Sequence, residues 1–242
     1  MKKTAQLFFF LLFAVQVFGQ ETTLAISDFD AAYLKEIKTE NNALTERISA
    51  FPKNIQDLNK QIGQAIRNND DSKALELAYE TDKLYPNNAD IKNFIGKRQA
   101  KAQDYSNALK SFDEAIKLDG KNKWFYINKA SVQVENKQLA EALKTIEALI
   151  ILQPNWSLAY NLKASFLREL NQQSEALRAY EMAIMGEPKS AQIYTNRGDL
   201  YKELSKEKEA IADYKKALQI QPDYSRAQEK LNMISKTVSE KK

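Results

Sequence analysis

Hydrophobic positions recur with helical spacing through the middle of the chain. Two series of apolar residues, each spaced three and four apart, are Trp124, Ile127, Ala130 and Val134, and then Leu139, Leu143, Ile146 and Ile150. The polar stretch from Glu135 to Gln138 separates them. This pattern predicts a helix, a turn and a second helix. Pro154 lacks an N–H and disfavours helical geometry in the residue before it, so the second helix is expected to end near Leu152.

The prolines show that this unit is repeated. Every proline lies in phase with a period of 34 residues, at Pro52, Pro86, Pro154, Pro188 and Pro222, and the missing member of the series is Gly120, another helix terminator. A fixed period of this length indicates a stack of similar structural units. With proline at place 32, the predicted units are 55–88, 89–122, 123–156, 157–190 and 191–224, of which the first is degenerate.

Small and large residues alternate in register with this period. Place 20 is alanine in all five units, as Ala74, Ala108, Ala142, Ala176 and Ala210. Place 8 is small in the last four units (Gly96, Ala130, Ala164, Gly198), whereas place 24 is large in the same units (Phe112, Ile146, Tyr180, Tyr214). Each unit is therefore predicted to be a pair of antiparallel helices, with small residues allowing close approach and large ones filling the gaps beside them.

The two ends of the array need a separate interpretation. In residues 20–54, one helical face carries Phe29, Tyr33, Ile37, Leu44, Ile48 and Phe51. This segment is interpreted either as an N-terminal helical cap or as a degenerate sixth repeat, because Pro52 is in phase. Residues 225–242 are predicted to form a C-terminal capping helix and tail, with Ala227, Leu231 and Ile234 at helical spacing.

The composition narrows the chemistry. The 242 residues include no His and no Cys, which excludes a Ser-His-Asp triad, a thiol nucleophile and the usual zinc and haem sites. No glycine-rich phosphate loop is present, and the paired acids Asp70 and Asp71 fall in a predicted turn, where capping explains them. We therefore expect no catalytic residues, no metal and no cofactor, and a protein that is not an enzyme.

The first nineteen residues have the pattern of a secretory signal peptide. Lys2 and Lys3 precede an apolar run that ends at Gly19, and this run is too short to span a bilayer. Cleavage is expected after Gly19; retention of the segment as an anchor is the alternative. The signal resembles bacterial ones, so the mature protein is expected in a periplasm or outside the cell. Removing residues 1–19 takes away two lysines and no acid, which lowers the net charge from +4 to +2 and weakens any case for nucleic-acid binding.

The residues that recur at places 8, 20, 24 and 32 of the 34-residue units resemble the tetratricopeptide repeat. The resemblance is clearest in residues 191–224, AQIYTNRGDLYKELSKEKEAIADYKKALQIQPDY. The resemblance covers the four units from 89 to 224 well, and it implies an all-α fold, a right-handed α-solenoid of stacked antiparallel helix pairs. One departure is that Lys129, Lys163 and Arg197 replace the leucine of place 7. The stack is then expected to offer an extended concave surface.

By this resemblance, the first helix of each unit lines a groove that binds a protein or peptide. The candidate binding residues in this chain are Asn93, Phe94, Lys97, Lys101, Trp124, Ile127, Asn128, Leu158, Asn161, Leu162, Arg168 and Asn196. The four asparagines are predicted to hold an extended backbone, and the cations an acidic partner side chain. The apolar members form either an exposed anchor patch or, in the case of Trp124 and Ile127, part of the core.

A known subclass of the family grips C-terminal carboxylates of cytosolic chaperones, but only Asn128 matches its pattern here. Leu158 and Leu162 stand where that clamp has basic residues. The leading hypothesis is an exported, non-enzymatic adaptor or scaffold that binds a protein or peptide partner in its groove, without nucleic-acid binding or stable membrane insertion after cleavage. The alternative is a structural spacer of an envelope or secretion complex that self-associates, so a homo-oligomer stays open.

Overall fold

The structure is a computed structural model that describes residues 30–240. The predicted signal peptide, residues 1–19, lies outside this range. The described residues form twelve α-helices and no strand. The helices are α1 Ala31–Ser49, α2 Lys53–Arg67, α3 Asp71–Leu84, α4 Ala89–Lys101, α5 Tyr105–Leu118, α6 Lys123–Glu135, α7 Leu139–Leu152, α8 Ser157–Glu169, α9 Gln173–Gly186, α10 Ala191–Glu203, α11 Glu207–Ile220 and α12 Ser225–Glu240.

The chain divides into two compact units. Among the described residues, unit 1 comprises 37–145, and unit 2 comprises 30–36 together with 146–240. Within each unit, the helices pair in chain order, as α2 with α3 and α4 with α5 in unit 1, and α8 with α9 and α10 with α11 in unit 2. The predicted all-α solenoid of helix pairs is confirmed, and α7 ends at Leu152 as expected.

The small residues of place 20 and the large residues of place 24 pack as their sizes predict. All five alanines of place 20 are fully buried, and so are the four large residues of place 24. A Cβ atom at Gly96 would lie 2.9 Å from Cε1 of Phe112, which means that only glycine lets α4 approach the ring on α5 this closely. In these repeats, the alternation of small and large residues along the sequence therefore sets the distance between paired helices.

The turn inside each helix pair has a geometry that the sequence pattern did not reveal. One residue per pair adopts a left-handed conformation, with φ between 56° and 60°, and these residues recur every 34 positions: Asn69, Gln103, Lys137, Asn171 and Ser205. After α4, the N–H of Gln103 donates to the carbonyl of Ala100, and the N–H of Asp104 donates to that of Gln99. The same two bonds follow α2, α6, α8 and α10, and together they are a Schellman motif.

Two of the acids in these turns begin the next helix. The Asp70 carboxylate accepts a hydrogen bond from the N–H of Lys73, and Asp104 accepts one from Asn107. Such caps satisfy donors that the first helical turn leaves open. The interpretation of Asp70 as a cap agrees with this geometry, whereas Asp71 forms ion pairs with Arg98 and Lys101.

The cations that replace the leucine of place 7 form ion pairs beside the core. Lys129 Nζ lies 2.6 Å from Asp113 in unit 1, and Lys163 Nζ lies 2.8 Å from Glu147 in unit 2. Arg197 forms two hydrogen bonds of 2.8 Å with Asp213. These three side chains keep only 18–29% of their surface exposed, while their charges reach carboxylates.

The described part of the N-terminal segment contains one long helix, α1. α1 runs from Ala31 to Ser49 without the turn that a repeat at residues 21–54 would require, so the described part of this segment is not a helix pair. Pro52 stands at the start of α2. Residues 225–240 form α12, in which Ala227 and Ile234 are buried.

Candidate functional site

An apolar cleft in unit 1 is enclosed by α2, α3, α4, α6 and the end of α1. It contains about 730 Å³ of space, part of which is open solvent. Its lining from α4 and α6 includes five of the candidate binding residues: Asn93, Phe94, Lys97, Trp124 and Asn128. We call this cleft the unit 1 groove. The structure therefore brings together the candidates of two successive repeats, as the resemblance implies.

Aromatic rings form the apolar part of the unit 1 groove. Phe94 and Trp124 are 7% and 3% exposed, and they line the cleft from α4 and α6. Ile127 is 1% exposed and is absent from the lining, because its side chain packs in the core. Of the two alternatives for the apolar candidates, an exposed patch is therefore wrong for Ile127, while Phe94 and Trp124 are buried residues that face the cleft.

The asparagines pair with each other across successive repeats. The side-chain amide of Asn128 donates to the side-chain oxygen of Asn93 at 2.8 Å in unit 1. Asn196 donates to Asn161 in the same way, at 3.0 Å, in unit 2. Each pair uses one N–H and one oxygen, which leaves an N–H on each donor amide and two on each acceptor amide. The pairs fix the direction in which those remaining groups point.

Lys97 is a buried cation in the wall of the unit 1 groove. Its side chain is 4% exposed. Burial, and then the nearby charge of Arg98, lower the pKa of Lys97 to about 7, because a desolvated ammonium loses the stabilisation it has in water. A carboxylate that entered the groove would restore this stabilisation.

The other two candidate cations are engaged in ion pairs. Lys101 lies outside the cleft lining, and its ammonium pairs with Asp71. In unit 2, Arg168 forms a two-point contact with Glu203, in which its Nε donates at 2.8 Å. Burial alone would lower the pKa of Arg168, but these hydrogen bonds raise it above its ordinary value. The cations predicted to hold an acidic partner side chain are thus already engaged within the chain: Lys101 shares Asp71 with Arg98, and Arg168 is bound to Glu203.

The part of α1 in unit 1 forms one wall of the groove. Glu40, Leu44 and Ile48 lie on one face of this helix and line the cleft, followed by Phe51. Arg47 donates from Nε to Asp90 at 2.7 Å and from Nη2 to Asp90 at 3.0 Å, and Nη2 also donates to Glu40 at 2.8 Å. Burial alone would lower the pKa of Arg47, but these bonds raise it above its ordinary value.

In unit 2, a smaller cleft contains the beginning of α1. It is lined by Leu158 and Asn161 together with Asp30 and Tyr33. Asp30 is 1% exposed; its carboxylate accepts from the hydroxyl of Ser190 and, at 3.0 Å, from the N–H of Gln192. The candidates Leu162 and Asn196 do not line this cleft. Asp30 thus satisfies donors in the first turn of α10.

The sequence interpretation missed the contributions of Asp30, Glu40, Arg47 and Asp90. Asp90 lies on α4, a helix that the resemblance places along the groove, but it is not among the candidate binding residues. The other three belong to a segment outside the clear repeats, and an apolar face on a helix does not reveal which surface it covers. The available signal was the positive charge of Arg47 on α1, which is complementary to Asp90 on α4.

The acidic groups of the unit 1 groove are engaged in ion pairs. In the unit 1 groove, the carboxylates of Glu40 and Asp90 are bound to Arg47. Across residues 30–240, no cluster of three or more His, Cys, Asp or Glu side chains is arranged to hold a metal ion. None of the described helices combines the length and apolar character needed to cross a membrane.

Comparison with known proteins identifies the repeats. Sequence profiles of the tetratricopeptide repeat match residues 99–166 and residues 191–224. The chain therefore contains tetratricopeptide repeats, within an α-solenoid of such repeats. No curated protein sequence matches the chain.

Solved structures share this fold. A tetratricopeptide repeat protein from Parabacteroides merdae is 18% identical, with a TM-score of 0.64 over 78% of this chain and 76% of its own. MamA from Desulfovibrio magneticus RS-1 is 20% identical, with a TM-score of 0.60 over 72% of this chain and 98% of its own. YrrB, described as a TPR protein with an unusual peptide-binding site, is 21% identical, with a TM-score of 0.54 over 69% of this chain and 87% of its own.

Proposed function

We propose that the protein is a non-enzymatic interaction module that binds a protein or peptide partner in the unit 1 groove. The observation that carries this proposal is the convergence of Phe94, Trp124, Lys97 and the Asn93–Asn128 pair on one apolar cleft. Aromatic residues at the centre of a groove supply most of the energy of an interface. An oriented amide and a buried ammonium add direction and a preference for an acidic group.

The repeats support this function, since stacked helical repeats commonly present extended concave binding surfaces. The similar fold of YrrB, which has a peptide-binding site, points the same way. The sequence of residues 1–19 supports an exported location, in a periplasm or outside the cell, with cleavage after Gly19. Mass spectrometry of the mature N-terminus tests that part of the proposal.

The groove is tested by site-specific photo-crosslinking in the cell that produces the protein. A photoreactive residue at Asn59, a half-buried position in the groove lining, should form adducts with a partner. The matched control is the same residue at Asn107, which is exposed on α5 and lies outside the lining. Equal adducts from both positions, or none from Asn59, would contradict groove binding.

A second experiment asks whether the predicted residues carry the affinity. Replacing Trp124 and Asn128 together by alanine should abolish adduct formation from Asn59 while helical circular dichroism persists. Because Trp124 is buried, Asn128→Asp is the milder companion variant. It removes the donor that meets Asn93 and introduces a negative charge without removing a core ring.

A second candidate function, self-association as a structural spacer, is favoured by exposed apolar residues in unit 2. Ile151 and Met185 are 80% and 75% exposed and occupy the same place in successive repeats. Such residues are typical of contact surfaces. Light scattering of the mature chain tests this candidate, since a monomer at all concentrations excludes it. If an oligomer forms, the double variant I151S/M185S should dissociate it.

A further inference from the structure

One wall of the unit 1 groove, the part of α1 from Glu40 to Ile48, lies against the rest of the groove in the way that a bound helix would. Leu44 and Ile48 of α1 point into the cleft lined by Phe94 and Trp124, and Arg47 between them forms a two-point contact with Asp90. Aliphatic residues four apart are how an amphipathic helix presents its apolar face to a groove, and the Arg47–Asp90 contact adds a charged anchor beside them. α1 therefore shows what kind of segment the groove accepts.

The contacts of α1 are those of a removable ligand. Leu44 and Ile48 are only half-buried, whereas the rings beneath them are more than nine-tenths buried. Asn41 is the buried residue on this part of α1, and its side-chain oxygen has no hydrogen-bond partner among the described residues. Burying an unsatisfied polar atom weakens attachment. Arg47 itself keeps 36% of its side chain exposed.

We infer that α1 gates the unit 1 groove, and that the partner is an amphipathic helix whose arginine or lysine replaces Arg47 on Asp90 while its aliphatic residues replace Leu44 and Ile48. This inference rests on the proposed function and specifies its partner. The groove accepts a basic residue at its rim because Asp90, 12% exposed, loses its counter-ion when α1 leaves. Binding is then a competition between α1 and the partner for one site.

The probe for this inference is a synthetic, fluorescently labelled peptide with the sequence of residues 37–51, added to the full-length mature chain. In the wild type, α1 should compete and keep peptide binding weak. In R47A, α1 loses its ionic contact, and the peptide should bind about tenfold more tightly by fluorescence anisotropy. The matched control K38A removes an exposed positive charge from the same helix and should leave binding unchanged.

Charge exchange separates groove binding from nonspecific association. A peptide carrying R47E should fail to bind the R47A chain, because its carboxylate would face Asp90. The same peptide should bind the D90R chain, in which the ion pair is restored with its charges exchanged, and the wild-type peptide should not. Equal binding of both peptides by all chains, or binding by none, would overturn the inference.

These outcomes are distinguishable from failure of the proposed function. If Asn59 still forms adducts with a cellular partner while the peptide binds no variant, the groove binds something other than a helix like α1, and only this inference fails. If R47A instead forms dimers that the peptide dissociates, the groove is filled by α1 of a second copy. That outcome overturns the inference of a separate partner.

Discussion

A Cβ atom at Gly198 would lie 2.7 Å from Cε1 of Tyr214. The ring of Tyr214 is fully buried, and its hydroxyl donates to Asp199 at 2.8 Å, which holds it in place. G198A should therefore lower the free energy of unfolding by about 1–2 kcal/mol, because the overpacking cost exceeds the gain in helix propensity. Denaturant unfolding followed by circular dichroism measures this change.

Gly63 provides the matched control. A Cβ atom there would meet only the end of the flexible Arg67 side chain, at 3.6 Å. G63A should therefore raise the free energy of unfolding by about 0.5–1 kcal/mol through helix propensity alone. If G198A stabilises the protein as much as G63A does, the close approach of α10 to Tyr214 is wrong.

The left-handed turn residues lead to a second prediction. Lys137 is exposed and has a φ of 60°, a conformation that disfavours any residue with a Cβ. K137G should raise the free energy of unfolding by about 1 kcal/mol, and K137V should lower it. Thermal and denaturant unfolding measure both changes. N171G is the control: it should change little, because asparagine already tolerates this conformation.

Part of this architecture is readable from the sequence because it depends on side-chain size at fixed spacing. Alanine at place 20 and proline at place 32 recur as single residue types, so a period of 34 identifies helix pairs and their ends. The left-handed turns escape this method, since five different positions hold four residue types whose common property is a backbone angle. Bonds between backbone groups impose that angle, and no side chain reports it.

The site is readable to a smaller extent. The repeat register placed Phe94, Trp124 and Asn128 on one surface, because equivalent positions in stacked repeats face the same way. It did not show that α1 lies in this groove, or that Glu203 balances Arg168. The contact of α1 joins α4 to a segment outside the clear repeats, for which a single sequence contains no periodic signal. Arg168 and Glu203 lie about one repeat apart, as Asn93 and Asn128 do, but the register alone does not show that their side chains meet.

The Asn161–Asn196 pair gives a third prediction. Both amides are buried, and N196A would leave the side-chain oxygen of Asn161 without its donor. This variant should lose about 1–3 kcal/mol of unfolding free energy. A double-mutant cycle with N161A measures the coupling, which should be about 1 kcal/mol. The exposed Asn107, which donates to Asp104, is the control, and N107A should have a much smaller effect. Additive losses in the cycle would contradict the pair.

The free energy of unfolding is expected to depend on pH through Glu135, whose pKa differs between the folded and unfolded chain. Burial raises the pKa of Glu135 from 4.5 to about 7, and one of its oxygens has no hydrogen-bond partner among the described residues. Between these pH values the folded chain holds a proton that the unfolded chain has released, so the contribution of Glu135 to stability falls as pH rises.

E135Q should remove this slope, which unfolding curves recorded from pH 5 to 8 will measure. The variant should be more stable than the wild type by about 1 kcal/mol at pH 8, with the difference vanishing near pH 5. E169Q changes an exposed glutamate at the same place of the next repeat and is the matched control. Parallel curves for the wild type and E135Q would show that Glu135 is solvated.

Through Lys97, the free energy of unfolding is expected to rise with pH, which is opposite to the effect of Glu135 and occurs at higher pH. The unfolded lysine keeps its proton up to about pH 10.5, whereas the folded one releases it near pH 7. The unfolded chain therefore binds more protons across this window, and the contribution of Lys97 to stability rises with pH. K97M should be more stable than the wild type by about 2–4 kcal/mol at pH 6, and this gain should shrink as pH approaches 10.

K101M, at an exposed cation on the same helix, should show no such convergence. A gain from K97M that is the same at pH 6 and pH 10 would show that folding does not lower the pKa of Lys97.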